Sequence, residues 1–177
     1  MTIWTDVETI NALRRRLGVD IYAFLVSEEN SLNYLLDHLR LSGQAKRGGN
    51  ELKLFDSSPL VLPICKFFEA SLYLTCERMG LFDAVHDGTR PSSLRRLFRT
   101  KRKEIQSFIQ DKMEDPDRAR TVLDKLFATI EDYTERNKIV HPGRLLRIEE
   151  VENYDAILAK LKELLELLLQ NKLLKAE

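Results

Sequence analysis

The chain has 177 residues, enough for one full hydrophobic core with a small extension but too few for two ordinary domains. Its apolar and charged fractions, 44% and 32%, are those of a soluble globular protein and argue against disorder. Lysine plus arginine number 28 and aspartate plus glutamate 28, so affinity for nucleic acid must come from a local patch and not from a global positive field.

The N-terminal "MTIWTDVETINALRRRLG" lacks the basic-then-apolar order of a signal peptide, and the longest apolar runs are interrupted too often to span a bilayer. The expectation is a cytoplasmic protein without membrane contact. "VDIYAFLV" follows, and its β-branched and aromatic content fits either a short strand or a buried helix. "SEENSLNYLLDHLRLSG" is a clearer helix: Leu32, Leu35, Leu36 and Leu39 recur at helical spacing, Ser27 to Ser31 offer N-caps and Gly43 offers a stop. Residues 1–45 are read as an N-terminal extension. The run "QAKRGGNELKLFDSS", with Gly48 and Gly49 adjacent, supplies a linker or long loop, placed at 46–58, and residues 59–177 form the main helical domain.

Four helical patterns fill that domain. The first runs from about Pro59 to Met79, with both prolines confined to its opening turn and Gly80 closing it. It is apolar nearly all round and is expected at the centre. Cys65 and Cys76, three turns apart on it, are too distant to bond and are read as buried reduced thiols. The loop "DAVHDGTRP" leads into "SSLRRLFRTKRKEIQSFIQDKMED", one helix or two short ones, and Asp115-Pro116 starts the third pattern. The third carries Val122, Leu123, Leu126, Phe127, Ile130 and Tyr133 on one side; the tyrosines at 133 and 154 are read as core or interface residues. The last, from about Tyr154, has a leucine stripe wide enough for two partners, or for the core and a second subunit. The predicted architecture is all-α, a helical bundle of four to five helices with an N-terminal extension.

Chemistry-bearing residues collect in three places. From Arg90 to Lys103, seven basic residues occur without one acid; Arg95, Arg96, Arg99, Lys101, Arg102 and Lys103 suit salt-dependent, sequence-tolerant binding of phosphates. The plainer reading is a solvated face balanced by the acidic "DKMEDPD" that follows. Lys66 and Glu69 stand at i, i+3 among residues that favour burial, which suits a cleft, although a surface ion pair would use the same spacing. The third pattern ends in "RNKIVHPG", where Arg136 and His141 lie five apart, about 140° on an ideal helix, and Pro142 biases His141 out of the α region. A His that caps a helix end beside a solvated Arg is the ordinary alternative. His38 and His86 have no company at metal-ligand spacing, so neither a metal nor a cofactor is expected.

"RNKIVH" resembles the Arg, four to six residues, His motif of the HEPN superfamily, small helical bundles that include ribonucleases; Asn137 stands where that motif commonly has a polar residue. The resemblance covers roughly Pro59 to Leu174 and is nearest in pattern to the C-terminal toxin domain of the ribonuclease LS type. There a basic residue and a Glu correspond to Lys66 and Glu69; Lys66 keeps the charge without the planar fork of an arginine. The resemblance implies a metal-independent endoribonuclease, a toxin or defence effector, whose subunits each bring one motif to a composite cleft. Arg136, His141, Glu69 and Lys66 would be catalytic, Asn137 and the basic helix would bind RNA, and the partners would be an RNA substrate, a second copy of the chain and an antitoxin or regulatory protein. Gly143 stands where related systems silenced by tyrosine modification carry their target. The alternative is a non-catalytic helical module that binds protein or nucleic acid through its basic helix. A DNA-reading helix pair in "PSSLRRLFRTKRKEIQSFIQ" is a third reading, without a glycine-containing tight turn to support it.

Overall fold

A computed structural model describes residues 7–26, 29–47, 58–140 and 155–174. The chain is all-α. Its described helices are α1 (Val7–Leu17), α2 (Val19–Val26), α3 (Glu29–Arg47), α4 (Ser58–Arg78), α5 (Leu81–Val85), α6 (Leu94–Thr100), α7 (Arg102–Lys112), α8 (Pro116–Val140) and α9 (Asp155–Gln170). "VDIYAFLV" is helical as α2: Ile21, Tyr22, Phe24 and Leu25 are buried, a 3–4 spacing that a strand could not keep on one face. Gly18, at φ +90°, makes the turn from α1 into α2 in a conformation that L side chains avoid.

Gly43 does not stop α3, contrary to expectation. The helix continues to Arg47, because Gln44, Ala45, Lys46 and Arg47 are good helix formers and outweigh the roughly 1 kcal/mol that glycine costs relative to alanine. The expected linker at 46–58 falls mostly on 48–57, outside the described residues. α3 and α4 make the most extensive helix pair, and each carries a small buried serine, Ser31 and Ser71. Pro63 lies inside α4, whose helix begins at Ser58, so only the amide bond to the carbonyl of Pro59 is lost.

The segment 92–115 resolves into two helices that break at Lys101. Ser93 caps α6 by accepting from the Arg96 amide at 3.3 Å, and Lys112 reaches back to the Met79 carbonyl at 2.9 Å, satisfying an end of α4. Asp115 accepts from the amides of Asp117 and Arg118 at 3.0 and 3.2 Å, which, with Pro116 at the first helical position, starts α8.

Buried residues from Leu13 to Leu174 form one connected core to which all the described helices contribute. Phe67, Phe68 and Leu72 on α4 are at its middle, with exposures of 1% or less. Cys65 and Cys76 are free buried thiols, and burial pushes that of Cys76 up to about 12. The leucines of α9 are used within the chain: Leu158, Leu161, Leu164, Leu165 and Leu168 are buried, and the helix packs on α2, α4 and α8. No described helix is long and apolar enough to cross a membrane.

Candidate functional site

The turn of α4 that carries Lys66 and Glu69 faces away from the deepest core. Leu62, Lys66 and Glu69 follow at i, i+4 and i+7, one stripe of the helix, while Phe67 and Phe68 beside them are buried. Lys66 Nζ lies 3.5 Å from Glu69 Oε2, with the lysine side chain 51% exposed and the glutamate 34%. This is an ion pair at a surface and not a desolvated one. It leaves Glu69 Oε1 for a second partner, and that partner comes from α8: the Tyr133 hydroxyl donates to Glu69 Oε1. The Tyr133 ring stacks on Phe68, centroids 6.1 Å apart, and is buried. One turn further along α4, Tyr73 donates to the Pro91 carbonyl at 2.9 Å. Burial, and after it the negative charge of Glu69, raise the Tyr73 phenol above its ordinary range, so it stays protonated as a donor.

α8 continues as helix through Val140, so the backbone at 136 and 137 follows Tyr133 at i+3 and i+4. These positions straddle the line of Tyr133, about 60° to one side and 40° to the other. The side chains of Arg136 and Asn137 are not described, and His141 lies outside the described residues, as do Pro142 and Gly143. Lys66, Glu69 and the helical approach to the Arg-x4-His stretch are therefore brought to one side of the α4–α8 contact. Tyr133 joins them there, and sequence reading assigned it only to core or interface.

The basic cluster divides into two groups. Arg95 and Arg99 on α6, with Arg102 on α7, line a cavity of about 360 Å³ together with Phe98, Phe127, Ile130 and Glu131. The Arg102 guanidinium lies over the Phe127 ring, 4.3 Å from its centroid, and Phe127 meets Phe98 edge to face at 5.5 Å. Among the described residues, Arg95, Arg99 and Arg102 make no ion pair, whereas Lys101 pairs with Glu104 at 3.2 Å and Arg90 with Glu77 at 2.7 Å. Arg96 and Lys103 are exposed and do not line the cavity. Arg95 and Arg99 come from α6 and Arg102 from the first residue of α7, so the cavity spans the break at Lys101. Phe98, Phe127 and Glu131 were missed as site residues. The i, i+4 spacing of Phe127 and Glu131 on α8 was visible, but not the packing of α6 against them.

Among the described residues, no three His, Cys, Asp or Glu side chains come together as a metal site. His38 is buried on α3, and His86 lies in the loop after α5, with Nδ1 2.6 Å from Asp87 Oδ1. Asp87 also accepts from the Thr89 hydroxyl and amide, which hold its carboxyl below the usual range; this cluster shapes a loop far from either site. Comparison of the chain with protein-family models, curated proteins and solved structures finds no match.

Proposed function

We propose that the chain is a metal-independent endoribonuclease of the HEPN type, a cytoplasmic toxin or defence effector that works as a homodimer. The observation that carries this reading is the bond from Tyr133 to Glu69. It ties the α4 turn bearing Lys66 and Glu69 to the α8 turn that precedes position 136, which supports a site built from these two helices.

RNA can be cleaved without a metal if a base takes the 2′-hydroxyl proton and a cation stabilises the charge that builds on the phosphorus oxygens. The 2′-oxygen forms a bond to phosphorus, the bond to the 5′-oxygen breaks, and a proton is returned to that leaving oxygen. His141 would be the base, since an imidazole can exchange a proton near neutral pH, and Arg136 would bring the permanent charge for the phosphorane. Glu69, held by Lys66 and Tyr133, would orient a neighbouring cation or imidazole, and Asn137 would hold a phosphate oxygen. A composite cleft needs a second copy. Because the leucines of α9 are used inside the chain, the α4 stripe is the better contact: Leu62, at 42% exposure, is one turn before Lys66. An antitoxin or other regulatory protein would act by covering this face.

A non-catalytic binding module is the second reading, favoured by the three unpaired arginines around one cavity. Purified protein incubated with labelled RNA in EDTA, beside His141→Ala, separates the two. The proposal expects cleavage by the parent alone, leaving 2′,3′-cyclic phosphate and 5′-hydroxyl ends. Two folded proteins that both leave the RNA intact would transfer the function to binding.

A further inference from the structure

We infer that the cavity between α6, α7 and α8 binds one nucleotide unit of single-stranded RNA, with the phosphate on Arg95 and Arg99 and the base stacked on the Arg102 guanidinium. The inference rests on the ribonuclease reading only for the choice of RNA as the polymer. The site itself is independent of the Arg-x4-His stretch.

Charge comes first. Three guanidiniums and one carboxylate, Glu131, line the cavity, and none of the four is engaged in an ion pair with another described residue. Basic residues described elsewhere on α8 and α9 are paired, Arg118 with Asp115, Arg120 with Asp124, Lys125 with Glu163 and Lys160 with Asp132. The cavity is thus a place where positive charge is concentrated and left for a ligand to neutralise. Arg95 and Arg99, at i and i+4 on one helix, present two forks at neighbouring points, a spacing that suits the oxygens of one phosphate.

Shape narrows the class. An acidic peptide needs only charge, but this cavity has an apolar wall of Phe98, Phe127 and Ile130, and the Arg102 guanidinium carbon sits over the Phe127 ring. With the ring on one side of it, that guanidinium offers its other side to a flat, electron-rich ligand. Unpaired bases stack on arginine planes in this way, and a volume of about 360 Å³ is within the range of a small-molecule pocket. A base inside a duplex could not enter, so the cavity selects single strands. Glu131, an acceptor at the same wall, suits a base with an exocyclic amino group, which cytosine, adenine and guanine carry and uracil lacks.

The test uses the full chain carrying His141→Ala, so that binding is read without cleavage, with fluorescently labelled oligocytidylate and oligouridylate in EDTA. Arg99→Ala and Arg102→Ala should each weaken oligocytidylate binding about tenfold or more, the loss of one charge-assisted contact. Arg102→Lys, which keeps the charge but not the plane, should weaken it nearly as much. Glu131→Gln should bring the affinities for the two oligonucleotides closer together. Parent-like binding by Arg99→Ala and Arg102→Ala would overturn the site, and parent-like binding by Arg102→Lys would overturn the stacked base. Displacement by oligoglutamate as effective as by unlabelled oligocytidylate would assign the cavity to an acidic protein instead. If the parent protein never cleaves RNA while this pattern holds, the ribonuclease reading falls and the nucleotide site stands; cleavage without the pattern gives the reverse.

Discussion

The Tyr133 hydroxyl sits on the largely apolar, buried side of α8, and its bond to Glu69 spans 64 residues of sequence. A residue that stacks on Phe68 and also fixes a carboxylate serves core and site together. Tyr133→Phe keeps the stack and removes the donor. Since Glu69 is part exposed and recovers water, the expected cost is about 1 kcal/mol, read from the urea unfolding midpoint, together with a loss of cleavage several times larger than that change in stability would produce. A Tyr133→Phe protein that cleaves like the parent would leave Glu69 without a positioning partner of consequence. Sequence reading could not find this link. An aromatic at helical spacing after Phe127 and Ile130 looks like one more core residue, and nothing within a turn of Tyr133 announces a partner on α4. Lys66 and Glu69 were legible because charge amid "LPICKFF" and "ASLYL" is costly without a reason.

At the scale of the helices, boundaries follow local chemistry where caps are strong and not where they are weak. Asp115-Pro116 starts α8 as read, and the leucine period gave α3, α4, α8 and α9. Gly43 misled, because a single glycine opposes a helix by less than four good formers support it. The split at Lys101 was left open between one helix and two, since only packing on α8 decides it. α8 and α9 run antiparallel, and two ion pairs bridge them, Lys125 to Glu163 and Lys160 to Asp132 at 2.5 Å. The hydrogen bond from Lys125, and then its charge, hold the Glu163 carboxyl below the usual range. A depressed carboxyl contributes stability at pH values above its unfolded value and loses it as the pH falls through the folded one. Glu163→Gln should therefore melt slightly below the parent at pH 7, and the difference should vanish on acidification below the ordinary glutamate range. The effect is small because the carboxyl is well solvated. A melting difference unchanged between pH 7 and pH 3 would show that the substitution acts through packing.

For the molecule as a whole, one core draws on helices from both ends of the chain, with α4 at its middle. That the chain is all-α was legible from composition and period; that α1 and α2 share the core with α9 was not, because it depends on contacts between residues more than a hundred positions apart. Around that core, the α4–α8 contact and the arginine cavity both use α8, the cavity through Phe127, Ile130 and Glu131 and the contact through Tyr133. An RNA strand held at the cavity would have only about two helical turns of α8 to follow before reaching the Arg-x4-His end. The central claim is that Glu69 and the end of α8 act as one catalytic unit. The most direct test is single-turnover cleavage in EDTA by the parent, Glu69→Gln, His141→Ala and the double variant. If the two form one unit, Glu69→Gln is slower than the parent by about tenfold or more, and adding it to His141→Ala causes little further loss. Cleavage by a folded Glu69→Gln protein at the parent's rate would contradict the claim.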